Sequence, residues 1–227
     1  MTTELYSLDG NIGSGKSTLG ELIKQIGFTN NKKVIFLQEP VSIWADIKNS
    51  ENKNVIQCFY ENQEKYSFAF QMMAYISRLS MIKNAIKNNP NSIIITERSV
   101  YTDKNVFAQM LYEDKLIDEI EFKIYLKWFD EFLEDVPLKG IIYLKTEPET
   151  AINRIKKRKR VGEEEIPLHY LIRCNDCHTQ WLLKSNNVLT LDGDIIIETE
   201  NTQDTIDNLT QIRNDLFLEK IKKFISQ

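Results

Sequence analysis

The amino-acid sequence predicts an α/β fold in which a doubly wound parallel sheet of five strands is flanked by helices. Three observations support this prediction. Short apolar segments alternate with longer segments of helical periodicity along the chain. A glycine-rich segment joins the first predicted strand to the first predicted helix. No repeat, low-complexity segment or long linker divides the 227 residues, so we expect residues 1–227 to form a single domain.

The predicted strands are short and apolar, as expected when helices cover both faces of a parallel sheet. They comprise residues 4–8, 33–37, 92–96, 140–144 and 188–191. The predicted helices comprise residues 17–26, 55–87, 103–112 and 117–133, a helix that begins at Pro148, one that ends near residue 184, and a C-terminal helix. Proline suits the first turn of a helix, and Asn89 and Pro90 end the long helix before the third strand.

Composition and charge argue against several classes of protein. The net charge of −4 provides no bulk attraction to nucleic acid or to an anionic membrane. No apolar run approaches the roughly 20 residues that span a bilayer. The N-terminus lacks the basic start and long apolar stretch of a signal peptide, and the 3 cysteines make no disulfide framework. We therefore expect a cytoplasmic protein with no nucleic-acid or membrane partner.

Residues 10–17 fit the pattern G-x-x-x-x-G-K-[ST], the P-loop of nucleoside triphosphate-binding proteins. Its glycines let the backbone wrap around a polyphosphate, and the following helix presents its positive end to the same anion. We expect Lys16 to reach the β- and γ-phosphates of ATP and the Ser17 hydroxyl to bind Mg²⁺. The residues expected to contact ATP in this segment are Gly10, Asn11, Ile12, Gly13, Ser14, Gly15, Lys16, Ser17 and Thr18.

Charged residues follow the second and third predicted strands, at the edge where a parallel sheet places its ligands. Glu39 follows the second strand, and Glu97 and Arg98 follow the third. Such a trio suits phosphoryl transfer to a hydroxyl, because one carboxylate can accept the proton and the other can hold Mg²⁺ or its water. The arginine would balance the phosphate charge. The alternative is that all three are solvated charges at strand ends.

Several motifs, in this order and spacing, resemble the deoxyribonucleoside kinases, and the deoxycytidine and deoxyguanosine kinase branch in particular. They are residues 9–18, Glu39-Pro40-Val41 with Trp44, Phe70-Gln71, residues 97–101 and residues 166–168. The resemblance extends from the P-loop to about Leu191. It implies a P-loop kinase fold, deoxynucleoside salvage, and a homodimer formed through a helix bundle that includes helices near residues 55–87 and 117–133. Asp9 departs from the family, which usually has glutamate before the first P-loop glycine.

The resemblance implies catalytic roles for two residues besides Lys16, and a magnesium-binding role for two others. Glu39 would be the general base on the 5′-hydroxyl of a deoxynucleoside. Arg98 would bind that 5′-oxygen and the incoming phosphate. Glu97 would lie at the Mg²⁺ site with Ser17. The reaction would be in-line transfer of the γ-phosphoryl group of ATP to the 5′-oxygen.

The resemblance also predicts the residues of the nucleoside pocket. They are Trp44, Tyr60, Gln71, Ala74, Arg78, Asp103 and Glu163, in addition to Glu39 and Arg98. Tyr60 and Glu163 would hold the 3′-hydroxyl, Trp44 would line the pocket, and Gln71 would pair with the base edge.

The alternative interpretations are that Tyr60 and Trp44 are core aromatic residues, that Gln71 is a surface residue of a helix, and that Asp103 is an N-terminal helix cap. If Arg78 and Asp103 lie over the base, then thymidine, which has no exocyclic amine, is a poor substrate. Deoxyadenosine, deoxyguanosine or deoxycytidine would be preferred.

Residues 154–160 form a basic segment ahead of Pro167. A basic run alone indicates a solvated helix face or a nucleic-acid patch. At this place the kinases that the sequence resembles carry a mobile lid, here approximately residues 154–166, whose arginines close over ATP. Arg154, Arg158 and Arg160 match those arginines, and guanidinium groups suit phosphate oxygens.

Two other functions fit a P-loop protein of this class. A nucleoside monophosphate kinase of the thymidylate kinase type has a phosphate as acceptor and needs no hydroxyl base, so Glu39 argues against it. A non-catalytic nucleotide switch would not need an acceptor pocket. Cys174, Cys177 and His178 have the spacing of a metal or haem site, but they lie in a helical pattern without a second cysteine pair. We interpret them as helix residues.

Overall fold

A computed structural model describes residues 2–132, 134, 136–160, 162, 163, 166–194 and 203–227. The strands are β1 (Glu4–Asp9), β2 (Phe28–Thr29), β3 (Lys32–Leu37), β4 (Ser92–Glu97), β5 (Leu138–Lys145) and β6 (Val188–Asp192). They form a central sheet in the order β2-β3-β4-β1-β5-β6. All neighbouring strands are parallel except β2 and β3. The predicted α/β class and parallel sheet are therefore confirmed.

Helices connect these strands. They are α1 (Lys16–Ile23), α2 (Val41–Asp46), α3 (Val55–Glu61), α4 (Gln63–Asn88), α5 (Val100–Thr102), α6 (Gln109–Glu113), α7 (Glu119–Phe132), α8 (Pro148–Arg158), α9 (Leu168–Leu182) and α10 (Gln203–Ile225). A 3₁₀ turn, Lys24–Ile26, follows α1, and a π-helical segment, Asp103–Ala108, lies between α5 and α6. No helix among the described residues is both long and apolar enough to cross a membrane.

A hydrophobic core lies on each face of the sheet. On one face, Leu5 and Ile94 pack with buried residues of α4, α7, α8 and α9. On the other face, Tyr6 and Leu8 pack with α1 and α10. Because side chains of a strand alternate between faces, β1 supplies both cores and is covered on both sides. This double covering is the doubly wound arrangement that the sequence predicts.

Two sequence predictions need correction. The sheet has six strands among the described residues, not five, because the two residues of β2 form a short antiparallel edge against β3. The long helix predicted over residues 55–87 is two helices. Asn62 has non-helical backbone angles, and its side chain accepts the backbone N–H of Lys65 and so caps α4. Asn54 caps α3 in the same way, by accepting the N–H of Gln57.

The order of the strands creates the crevice in which ligands are expected. β1 lies between β4 and β5, so the chain leaves β1 for one half of the sheet and later returns to the other half. Ligands of such sheets bind beyond the carboxyl ends of the strands at this switch point. The P-loop follows β1, Glu39 follows β3, and Arg98 follows β4.

Candidate active site

The P-loop is held by close packing between its backbone and α8. Gly13 has φ +78, and a Cβ atom there would lie 2.5 Å from the carbonyl oxygen of Ala151. Only glycine can occupy this position without displacing α8. Lys16 is buried, and its Nζ donates to the carbonyl oxygens of Gly10 at 3.1 Å and Asn11 at 2.7 Å. Burial lowers the pKa of Lys16 to about 7.

Ser17 and Glu97 meet at the mouth of the loop. The hydroxyl of Ser17 donates to Oε1 of Glu97 at 3.0 Å, although 80 residues separate the two in sequence. A hydroxyl and a carboxylate are oxygen ligands of the kind that Mg²⁺ takes beside nucleotide phosphates. The pair therefore has the chemistry of the magnesium site that the sequence predicts.

Glu39 lies between two arginines. Nη1 of Arg98 contacts Oε1 and Oε2 of Glu39 at 2.8 and 2.9 Å, and Nη2 of Arg78 contacts Oε1 at 2.8 Å. Burial by itself would raise the pKa of Glu39, but the charges of Arg98 and Arg78 outweigh it and lower the pKa to about 2. Glu39 is consequently a carboxylate at neutral pH, as a proton acceptor must be.

Arg98 has an unusual backbone conformation. Its φ of +57 lies in the left-handed region, which costs a residue other than glycine about 1–2 kcal/mol. Its backbone N–H donates to the carbonyl oxygen of Leu8 at 3.0 Å. Backbone strain of this kind persists where surrounding contacts over-determine the conformation, which is typical of functional sites.

A buried ion pair forms the far wall of the pocket. Nε of Arg78 donates to Oδ2 of Asp103 at 2.9 Å, and both side chains are at most 2% exposed. The Asp103 side chain is therefore engaged with Arg78 and is not an N-terminal helix cap. The N-cap of α5 is Ser99, whose side chain accepts the N–H of Thr102. Burial raises the pKa of Asp103, against the opposing charge of Arg78.

The remaining wall residues face the same space. Gln71 is buried rather than a surface residue, and its Oε1 has no hydrogen-bond partner among the described residues. Trp44 donates its indole N–H to Ser77 at 2.9 Å, which orients the ring against the pocket. Ala74 is buried on the same helix as Gln71. The unpartnered amide oxygen of Gln71 leaves an acceptor available to a base edge.

Glu163 is paired with the basic segment. It accepts hydrogen bonds from Arg158 and, at 3.2 Å, from Arg160. Arg154 instead donates to the carbonyl oxygens of Ser14 at 3.0 Å and Gly193 at 2.8 Å. The segment therefore lies over the P-loop rather than away from it. Val161, Glu164 and Glu165 of the predicted lid lie outside the described residues.

One cavity of about 360 Å³ brings these groups together. All nine residues predicted for the nucleoside pocket line it: Glu39, Trp44, Tyr60, Gln71, Ala74, Arg78, Arg98, Asp103 and Glu163. Glu97, the three lid arginines and the P-loop residues Ile12, Gly13, Gly15, Lys16, Ser17 and Thr18 line it too. Gly10, Asn11 and Ser14 are not among the lining residues. Asn11 is structural, since its side chain donates to the carbonyl oxygen of Leu171 at 2.8 Å.

The sequence interpretation missed several apolar residues of this cavity. They are Val41, Ile56, Phe70, Phe107 and Tyr170. Phe107 follows Asp103 by four residues, so helical spacing could have placed both on one face. Tyr170 comes from α9, and its ring lies 6.0 Å from that of Tyr60. No local pattern relates these two tyrosines.

Comparison with known proteins identifies the family. The family profile described as deoxynucleoside kinase matches residues 6–226, nearly the whole chain. The chain belongs to the deoxynucleoside kinase family. The enzyme is therefore an ATP-dependent phosphotransferase, and this decides against a thymidylate-type kinase and against a non-catalytic switch.

Individual relatives agree with the family match. The chain is 33% identical to human deoxycytidine kinase over 240 residues, which cover 97% of this kinase and 90% of the human protein. It is 31% identical to a probable deoxycytidine kinase of fowlpox virus, over 96% of this chain and 91% of the viral one. It is 28% identical to the mitochondrial deoxyguanosine kinase of Xenopus laevis, over 100% and 91% of the two chains.

Proposed function

We propose that this kinase transfers the γ-phosphoryl group of ATP to the 5′-hydroxyl of deoxycytidine, deoxyguanosine or deoxyadenosine, and that it uses thymidine poorly. The observation that carries this proposal is the buried pair of Arg78 and Asp103 in the pocket wall. Its carboxylate can accept from the exocyclic amine of cytosine or adenine, and its guanidinium can donate to the carbonyl and ring acceptors of guanine. Thymine has no exocyclic amine, and its methyl group needs space beside this pair.

Glu39 acts as the proton acceptor in this proposal. Its low pKa means that it takes the proton of the 5′-hydroxyl only once the bond to phosphorus has begun to form. That order suits the loose transition state of phosphoryl transfer, in which the attacking hydroxyl becomes acidic late. Arg98 contacts both carboxylate oxygens of Glu39, and it would redirect some of its hydrogen bonds to the transferred phosphate.

The P-loop and the lid segment bind the donor. Lys16 exchanges its contacts with the carbonyl oxygens of Gly10 and Asn11 for the β- and γ-phosphates. Arg154, Arg158 and Arg160 supply further charge above them. Ser17 and Glu97 would hold Mg²⁺, which when bound neutralises phosphate charge as it builds up in the transition state.

Tyr60 and Glu163 bind the 3′-hydroxyl of the deoxyribose. Tyr60 is a neutral phenol at all physiological pH values, because burial raises its pKa. A neutral phenol can donate or accept, whereas Glu163 accepts only. Together they would form hydrogen bonds with the 3′-hydroxyl while the 5′-oxygen lies at Glu39.

A second copy of the chain would cover an apolar stripe on α7. Ile120, Ile124 and Trp128 are 65%, 43% and 49% exposed, and they recur every fourth residue along one helix face. We infer a homodimer across this stripe and α4, because large apolar residues at helical spacing are typical of helix-to-helix interfaces. Sedimentation should show a dimer that Ile124→Glu dissociates. Asp130→Asn, at an exposed carboxylate of α7 outside this stripe, should leave it intact.

We also propose that residues 1–227 act as a single domain in the cytoplasm. The three free thiols, Cys58, Cys174 and Cys177, are compatible with a reducing compartment.

A direct assay tests the acceptor. The purified enzyme is incubated with γ-labelled ATP and, separately, each of the four deoxynucleosides and their 5′-monophosphates. We expect label on deoxycytidine, deoxyguanosine or deoxyadenosine with a kcat/KM on the order of 10²-fold above that for thymidine. Thymidine as the best acceptor would contradict the specificity, and label only on monophosphates would contradict the hydroxyl acceptor.

A further inference from the structure

Asp9 is a buried carboxylate that the proposed reaction does not use. It ends β1 and is 0% exposed. Each of its oxygens accepts one hydrogen bond from a hydroxyl, Oδ2 from Ser7 at 2.5 Å and Oδ1 from Thr102 at 2.6 Å. Burying a carboxylate is costly unless its oxygens accept hydrogen bonds, and here both of them do.

Thr102 connects this carboxylate to the segment that carries Arg98. Since the Thr102 hydroxyl gives its proton to Asp9, the lone pairs of its oxygen accept the backbone N–H of Ser99 at 3.0 Å. The hydroxyl of Ser99 lies 3.1 Å from the same oxygen and accepts the N–H of Thr102 at 3.4 Å. The polar atoms of Ser99 are therefore anchored, through one threonine, to the end of β1.

Arg98 is the residue held between these anchors. On one side its own N–H is bonded to Leu8, the residue before Asp9, and on the other side Ser99 is bonded to Thr102. Both attachments lead to the last two residues of β1, to Leu8 directly and to Asp9 through Thr102. A left-handed conformation needs such a double attachment, because the residue would otherwise relax to a less strained one. This left-handed backbone conformation directs the side chain of Arg98 toward Glu39.

We propose that Asp9 and Thr102 are positioning residues, which hold Arg98 in its left-handed conformation and thereby set how its guanidinium meets Glu39 and the transferred phosphate. The proposal rests on the roles proposed above for Glu39 and Arg98. A shift of about 1 Å at a group that positions a reacting atom can cost on the order of 10²-fold in rate. The loss would appear in kcat rather than in binding of the deoxynucleoside, because Gln71, Ala74 and Arg78 of the nucleoside pocket lie on α4.

The two hydroxyls on Asp9 provide a matched pair of variants. Thr102→Val keeps the shape of the side chain and removes the bond that leads to Arg98. Ser7→Ala removes the other bond to the same carboxylate, but Ser7 lies within β1 and has no contact with the Arg98 segment through that bond. Thr102→Ser restores the hydroxyl. A merely structural role for Asp9 would make Thr102→Val and Ser7→Ala equivalent.

Steady-state kinetics with the best deoxynucleoside and thermal unfolding of each variant test the proposal. We expect Thr102→Val to lower kcat by roughly 10²-fold with KM for the nucleoside within about threefold, while Thr102→Ser and Ser7→Ala keep kcat near that of the unaltered enzyme. Thr102→Ala is the second variant if Thr102→Val does not fold, and the same loss is expected. An equal kcat for Thr102→Val and Ser7→Ala would overturn the proposal. Absence of transfer by the unaltered enzyme would instead overturn the proposed function.

Discussion

One nitrogen of Arg98 contacts both carboxylate oxygens of Glu39, at 2.8 and 2.9 Å, across 59 residues of sequence. The contact joins the ends of β3 and β4 at the point where the acceptor hydroxyl is expected. It keeps the carboxylate ionised and fixes the direction of its oxygens. The ion pair thus sets the geometry of the proton acceptor.

Replacing Glu39 with Gln removes the proton acceptor and keeps the size of the side chain. We expect turnover to fall by roughly 10²-fold or more and KM for the deoxynucleoside to change only a few-fold. Glu61→Gln, at an exposed carboxylate on α3, is the control and should leave both constants unchanged. Near-normal turnover of the Glu39 variant would show that another group accepts the proton.

Replacing Lys16 with Ala removes the cation from the β- and γ-phosphates and should abolish measurable transfer with a native circular dichroism spectrum. Lys24→Ala, at an exposed lysine after α1, should retain activity. Retained activity of the Lys16 variant would exclude the catalytic role of this lysine.

The lowered pKa of Lys16 also predicts that ATP binding takes up a proton. Burial lowers the pKa of Lys16 to about 7, and phosphates bound beside it would raise the pKa again. Above pH 7 the free lysine is increasingly neutral, so ATP affinity should fall as pH rises, by up to tenfold per unit. Calorimetry at pH 8 in two buffers of different ionisation enthalpy measures the uptake, and a zero or negative value would contradict it.

The lid segment should be cut less readily when both ligands are bound. Trypsin has several sites in residues 154–160, and ordering of a segment by a ligand suppresses the local opening that proteolysis needs. We expect rapid cleavage there in the free enzyme and protection by a conjugate that joins a nucleoside to ATP through phosphates. Cleavage sites in α10 serve as the internal reference. Equal rates with and without the conjugate would argue against a lid.

The joint replacement of Arg78 with Met and Asp103 with Ala should raise the use of thymidine relative to the other deoxynucleosides. The substitutions remove a buried ion pair and leave room for the 5-methyl group of thymine. Arg173→Met with Asp114→Ala removes an exposed pair of the same kind and should leave the ranking unchanged. An unaltered preference in the first double variant would show that specificity arises elsewhere.

His178 should make stability depend on pH. Burial lowers its pKa to about 3, whereas the unfolded chain has the ordinary value of 6.5. Below pH 6.5 the unfolded state therefore binds a proton at His178 that the folded state does not bind. The free energy of unfolding consequently decreases as pH falls toward 3, by at most about 1.4 kcal/mol per pH unit. Urea unfolding at pH 7.5 and 5.5 should show a smaller loss for His178→Phe than for the unaltered enzyme or for His169→Phe, which is exposed.

The sequence by itself determined those features that depend on a local pattern. The P-loop is a run of eight residues, and the strands and most helices follow from periodicity within one segment. Glu39, Glu97 and Arg98 could be predicted to converge because each follows a parallel strand, and the carboxyl ends of such strands share one edge. The remaining residues of the pocket came from family resemblance rather than from physical argument.

Only the tertiary structure decided which side chains are partners across the chain. Arg78 contacts Glu39 and Asp103, Asp9 contacts Thr102, and Tyr60 faces Tyr170. These contacts join segments that lie 25 to 110 residues apart, and they depend on the order of strands in the sheet and on the rotation of each helix. The left-handed backbone of Arg98 also depends on the tertiary structure, because no local preference favours it and the hydrogen bonds beside it lead to β1 and α5.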